Sequence, residues 1–560
     1  MVDVPRLDGY HFYNQSWGSY EELYDSFEWE IPERFNIADY ACDRWADDKH
    51  RVALFAENGD GETETYTFWQ LRNATNRLAN VLREHGVERG DRVGVNTPQR
   101  PVTVISHLAI WKLGAVTVPL SNLFGEEGMR YRLDDCEASA CIVDESNIAT
   151  VRAVAENVGS LETILTIGDD NTRDGDVDFW SVVADADRGF ENVATRSSDD
   201  AIIAYTSGTT GDPKGVRHAH RIMLAHLPFF NLYTNLELSS ADVVWSPPEL
   251  AWLGNLFALV FPPLYFGRPL VLYEEGGPFD PEAGFEILSR YGVTVTLLTP
   301  TLLRLLQQVE DPAARYDVSD VRVVLSGGEE VGDDLKAWID DVFAGAVVHE
   351  AYGQTEANAI ISECEAISIK REGTMGKPVP GQPVQLVDPE TTEPIGETGE
   401  IGEIAVRYDG NPICMTEYLN LPEKTDRKIR NGWLLLEDLG TVDADGYYSY
   451  FSRKDDVIIS SGRRLGPEEI ENCLASHEAV VNAGVIGVPD EQRGEVPVAY
   501  VELADGVTGS PELTAKFQQL AKRRLAEYEY PHEIEYVDAL PMTVTQKVRR
   551  AALRERRGLQ

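Results

Sequence analysis

The chain has 560 residues, more than one compact core accommodates, so two or more domains are expected. Its 43% hydrophobic and 26% charged residues are ordinary for a globular protein, but 94 Asp and Glu against 50 Lys and Arg leave a formal charge of −44. Such a surface repels nucleic acid and anionic lipid, which argues against either as a partner; with the acids spread along the whole chain, it points to a salt-rich cytoplasm rather than an acidic tail.

In chain order, residues 1–15 (MVDVPRLDGYHFYNQ) show no basic segment leading into an apolar run, so no secretory signal is expected. Cys42, Cys136, Cys141, Cys364, Cys414 and Cys473 form no CxxC pair and read as buried free thiols of a reducing cytoplasm. Thr67 and Gln70 have capping-box spacing, Leu71, Ala74, Leu78 and Leu82 share one face, and Gly86 closes the predicted helix. Short β-branched runs then alternate with helical stretches: 92–98, 114–120, 140–145, 201–208, 269–274, 293–300 and 321–328. That alternation predicts an α/β fold with largely parallel sheets. Residues 250–267 carry no charge and approach the length of a membrane span, yet Asn255 and Pro262-Pro263 interrupt them, so they read as a buried segment or pocket wall. The Gly- and Asp-rich passage 438–456 breaks the pattern, and Gly466-Pro467-Glu468-Glu469 opens a helix in a smaller α+β piece beyond it. A boundary is expected near Asp455, giving a large domain over 1–454 and a small, mobile one over 455–560.

The strongest chemical signal is Thr206-Ser207-Gly208-Thr209-Thr210-Gly211-Asp212-Pro213-Lys214-Gly215, directly after the apolar run AIIAY. Its glycines admit an anion close to the backbone, its hydroxyls add donors, and Lys214 adds charge. It is not a Walker A loop, because Pro213 precedes Lys214 and Gly215 follows it.

This loop, YGQTE (352–356), the passage 438–471 and PMTVTQKVRR (541–550) resemble, in order, the motifs of the adenylate-forming superfamily of acyl-CoA synthetases, luciferases and peptide-synthetase adenylation domains. The resemblance spans nearly the whole chain. It implies an AMP-forming acyl-CoA synthetase that uses ATP, Mg²⁺ and coenzyme A to convert a carboxylic acid to its thioester through an acyl-adenylate.

Carried over by position, Thr206 to Gly211 and Lys214 would cradle the phosphates, and Thr355 would bond the α-phosphate. Glu356 would hold Mg²⁺, a hard ion suited to oxygen ligands. Tyr352, with Gly353 and Gln354, would lie against adenine, and Gly328 and Glu329 would face its other side. Asp438 and Arg453 would take the ribose. Lys547 would bridge the acid and the α-phosphate as charge builds during attack; Gln546 stands where the family usually has glycine. For thioester formation the small domain would swing about Asp455, bringing Ser461 and Gly462 beside the pantetheine tunnel and Arg464 to the nucleotide.

Acetyl-CoA synthetases carry tryptophan where this chain has Gly353, which implies an acid larger than acetate. The stretches 20–46 and 245–254 resemble the medium-chain and aryl branch, so Trp252, Leu253 and Gly254 are expected at the acyl pocket. His218, His220 and His226 form an HxH cluster with no local carboxylate or cysteine, and read as satisfied polar groups rather than metal ligands. Three rival readings are an adenylation domain loading a carrier protein, a luciferase-type oxidase and a non-catalytic nucleotide binder. The sequence is silent on oligomeric state.

Overall fold

The computed structural model describes residues 4–168, 176–206, 213–327, 331–460, 463–490, 492–504, 506–525, 529–542 and 547–559. The described residues gather into two compact units, one within 1–206, 213–383 and 406–434, the other within 384–405 and 435–560.

Two sheets organise the larger unit. In the nine-stranded sheet, the strands Val347–Gln354, Val323–Gly327, Val295–Leu297, Val244–Trp245, Leu270–Glu274 and Val52–Asn58 run parallel, and antiparallel strands close both edges. The eight-stranded sheet is parallel from Asp200–Thr206 through Val116–Pro119, Arg92–Asn96 and Ala140–Asp144 to Thr163–Ile167. All seven expected runs are strands of these two sheets. The helices Pro101–Lys112 and Ile222–Tyr233 are buried at every position, as helices apolar on all sides must be. Lys112 survives there because Asp43 meets it at 2.5 and 2.6 Å and Asn76 at 2.8 Å.

The predicted capping box is present: Thr67 Oγ1 accepts from Gln70 N at 3.3 Å, Gln70 Oε1 accepts from Thr67 N at 2.9 Å, and the helix runs Phe68–Glu84. Residues 253–265 are buried as two short helices around a π-turn, Leu256–Val260, and no described helix is long and apolar enough to cross a membrane. All six cysteines are buried and free.

In the smaller unit, the strands Arg463–Leu465, Ile458–Ser460, Gly494–Leu503 and Val480–Asp490 form a sheet in that order, with Glu533–Val537 beside Gly494–Leu503. Pro467 opens the helix Pro467–Ala475 at its first turn, as expected.

Candidate active site

In the larger unit the site is built from a hairpin and a turn. Asp200–Thr206 pairs antiparallel with Lys214–Ala219, so the two ends of the phosphate-loop motif are held side by side, Thr206 opposite Lys214. Ser207, Gly208, Thr209, Thr210 and Gly211 lie outside the described residues, as do Gly328 and Glu329. Thr206 Oγ1 is buried and has no hydrogen-bond partner among the described residues, an unspent hydroxyl beside the loop.

The YGQTE motif ends the strand Val347–Gln354 and turns through Thr355 and Glu356 into Ala357–Ser362. Glu356 is buried, and its Oε1 accepts a 2.5 Å hydrogen bond from the Tyr418 hydroxyl. Burial alone would push its carboxyl up, but Lys428, the Tyr418 hydroxyl and Lys214 together hold it below the usual range. Lys214 Nζ also stands 4.7 Å from the Tyr418 ring centre. The turn therefore offers an ionised carboxylate backed by two cations in a site of low dielectric. No group of three metal-binding side chains occurs among the described residues. One carboxylate fits a Mg²⁺ that takes its remaining oxygens from a bound polyphosphate and water.

Two of the three histidines serve the same turn or the strand that leaves it. His218 Nε2 donates to the Thr355 carbonyl at 2.7 Å, and His226 Nε2 lies 3.0 Å from the Asn358 carboxamide. His220 Nδ1 accepts from Ile37 N at 3.3 Å. Burial pushes their imidazoles down to about 4, 4 and 3 for His218, His226 and His220, so all three are neutral at pH 7.

Gly353 sits where the strand pairing slips between Tyr352 and Gln354. A Cβ there would lie 2.2 Å from Ala359 N and 3.0 Å from Ala357 O. Glycine is required by this close approach, whatever the length of the acid. Gly254 is different: its Cβ would meet the Trp252 indole at 2.7 Å, so the missing side chain leaves the indole room to lie across the backbone. The loop bearing both is pinned by Gln99 Nε2, which donates to the carbonyls of Ser246 and Pro247 at 2.8 Å, and by Asn255 Nδ2, which donates to Pro248 O at 2.5 Å.

In the smaller unit Asp438 and Arg453 face each other across the hairpin of Trp433–Val442 and Tyr448–Arg453, Nε to Oδ1 3.3 Å. Asp438 is buried, and burial opposes the guanidinium charge that Asp438 and the Tyr450 hydroxyl sustain. Lys454 Nζ reaches the buried Glu403 at 3.1 Å, and on the other side of Asp455 the Asp456 carboxylate takes Arg550 at 3.0 Å and Arg554 at 2.7 Å. Arg550 also meets Glu468 at 3.0 Å and Glu471 at 2.6 Å. Lys547 is exposed, one residue before Val548, which pairs with Met542. Arg464 lies in the strand Arg463–Leu465 opposite Ile459, while Ser461 and Gly462 fall outside the described residues.

Tyr418 and Lys428 went unread in the sequence. The one available signal for His218 was strand alternation, which puts Lys214, Val216 and His218 on one face.

The AMP-binding enzyme family matches residues 42–419, and the AMP-binding enzyme C-terminal domain matches 469–547. The chain is 33% identical to the uncharacterised acyl-CoA ligase YtcI of Bacillus subtilis, covering 94% of this chain and 96% of that one. It is also 33% identical to the mitochondrial acyl-coenzyme A synthetase ACSM4 of Mus musculus, covering 95% and 92%. The crystal structure of the anthranilate CoA ligase AuaEII in complex with anthranoyl-AMP superposes with a TM-score of 0.85 at 28% identity, over 94% of this chain and 98% of that one. With both of its domains matched in order and its relatives aligned end to end, the chain belongs to the AMP-binding enzyme family, within the adenylate-forming superfamily that its motifs resemble.

Proposed function

We propose that this protein is an AMP-forming acyl-CoA synthetase acting on a medium-chain or aryl carboxylic acid. The observation that carries the reading is the likeness, over nearly the full length, to acyl-CoA synthetases and to a CoA ligase that holds an aryl adenylate. The geometry of the Thr355–Glu356 turn supports the first half-reaction. Lys214 and the loop ahead of it bind the triphosphate, Thr355 bonds the α-phosphate, and Tyr352 lies against adenine beside Gly353, Gln354, Gly328 and Glu329. Asp438 and Arg453, already paired, bind the ribose. Glu356 would hold Mg²⁺, which when bound offsets the negative charge of the phosphates. Lys547 stabilises the charge that develops as the carboxylate attacks the α-phosphorus and pyrophosphate departs.

The chain divides functionally at Asp455, into 1–454 and 455–560. Rotation there withdraws Lys547 and brings Ser461, Gly462 and Arg464 to the site for attack by the CoA thiol, which releases AMP. Trp252 and Gly254 border the acyl pocket, next to the side-chain-free Gly353. The −44 charge supports operation in a salt-rich cytoplasm.

Pyrophosphate release with ATP, Mg²⁺ and a panel from acetate through decanoate plus benzoate, with and without CoA, tests the reading. CoA-dependent turnover peaking beyond acetate supports it, as does a fall of about 10²–10³-fold in Lys547→Ala. Release indifferent to CoA would favour an adenylate-handing ligase, and ATP binding without release a non-catalytic protein.

A further inference from the structure

The phosphate-loop hairpin and the Thr355–Glu356 turn come from segments far apart in sequence, and adenylate formation requires them in fixed register. One face of the strand Lys214–Ala219 touches the turn and its support. Residues two apart on a strand share a face, so Lys214, Val216 and His218 point the same way. Lys214 supports the Glu356 carboxylate and lies over the Tyr418 ring, while Val216 is paired with Tyr418 across the strand Glu417–Tyr418. His218 reaches the neighbouring residue, its Nε2 2.7 Å from the Thr355 carbonyl.

The His218 ring is fully buried, and its other nitrogen, Nδ1, has no hydrogen-bond partner among the described residues. A neutral imidazole carries one N–H, and the carbonyl can only accept, so the proton sits on Nε2. A side chain kept buried with one acceptor unspent, in order to present one donor, is costly as a core filler. The carbonyl it fixes belongs to the peptide between the α-phosphate residue and the Mg²⁺ residue. From the far side Met415 N donates to the Glu356 carbonyl at 2.8 Å, so the turn is gripped at two successive carbonyls.

We propose that His218 is a positioning residue for nucleotide activation: its Nε2–H sets the Thr355 carbonyl, and so orients Thr355 and Glu356 toward the phosphates bound by the loop on the same hairpin. This rests on the function proposed above. It assigns His218 no contact with substrate.

The test compares His218→Phe, which keeps a ring and removes the donor, with His218→Gln, which restores an N–H near the Nε2 position. Affinity for MgATP and for adenosine is measured by calorimetry on the full chain in high KCl. We expect His218→Phe to bind MgATP at least about fivefold more weakly, the loss of roughly one hydrogen bond's alignment, with adenosine affinity unchanged. His218→Gln should return MgATP affinity to within about twofold of the parent. Unchanged MgATP affinity in His218→Phe, an equal loss for adenosine, or a failure of His218→Gln to recover would each overturn the proposal. If His218→Phe does not fold, His218→Gln against His218→Leu at matched melting temperature decides in the same way. Parent protein that binds MgATP yet releases no pyrophosphate with any acid would sink the functional reading and leave the role of His218 to the binding data. Parent protein that binds no MgATP would sink both.

Discussion

Acidification is expected to unfold the larger unit through its histidines. His107, His218, His220, His226 and His349 are buried, and burial pushes their imidazoles from the ordinary 6.5 to about 3 for His107 and His220 and about 4 for the other three. As pH falls below 6.5 the unfolded chain takes up these protons, whereas the folded chain refuses them until about 4 or, for His107 and His220, about 3. The stability these groups contribute is therefore fully present above pH 6.5 and is lost progressively toward pH 4. Between about pH 7 and pH 5 each costs about 2 kcal/mol, together on the order of 10 kcal/mol, the size of a whole domain's stability. Five carboxyls oppose this: burial pushes Asp39 up to about 6, Glu275 and Glu363 up to about 7, and Asp144 and Glu249 upward as well. Protonation of Asp39, Glu275 and Glu363 returns on the order of 5 kcal/mol over the same range, with Glu275 discounted because solvent screens its exposed part. The balance is a net loss of several kcal/mol by about pH 5, steepening below it as the carboxyls finish titrating. Urea denaturation at fixed high KCl, stepped from about pH 7.5 to pH 5, measures it directly. A midpoint that holds or rises on acidification would refute the reasoning.

Three further outcomes are expected. Tyr418→Phe removes the hydroxyl bound to Glu356 and should cost about 1.5–3 kcal/mol of stability, with pyrophosphate release falling about tenfold and no change in adenosine affinity; full activity would mean the hydroxyl does not hold the carboxylate in place. Gly353→Ala forces a Cβ against strand backbone and should destabilise by at least about 2 kcal/mol, whereas Gly254→Ala displaces only the Trp252 indole and should shift the preferred acid with little change in melting temperature. Melting temperature should rise by several degrees between about 0.1 M and about 2 M KCl as the −44 charge is screened; a flat curve would remove the case for a salt-rich habitat.

Much of the larger unit was legible because its signals are local. Thr67 and Gln70 encode their capping box by spacing alone, and the seven β-branched runs form strands wherever period and composition agree. The buried stretch 253–265 was recognisable from its prolines and Asn255. What stayed hidden depends on long-range pairing. Tyr418 lies 62 residues from Glu356, and His218 lies 137 residues from Thr355, so no window of sequence joins them. Gly353 shows a subtler limit. A missing side chain is equally the mark of a pocket and of two backbones in contact, and only the slipped register distinguishes them.

The arginines that grip Asp456 bear on timing. Arg550 follows Lys547 by three residues, and with Arg554 it fastens the basic tail to the residue next after the proposed pivot. A turn at Asp455 would then be transmitted to the lysine by a short ionic linkage as well as through the sheet of the intervening ninety or so residues. On the proposed pivot, the tail would act as a crank rather than a tether, and the lysine's arrival would be set by angle rather than by search.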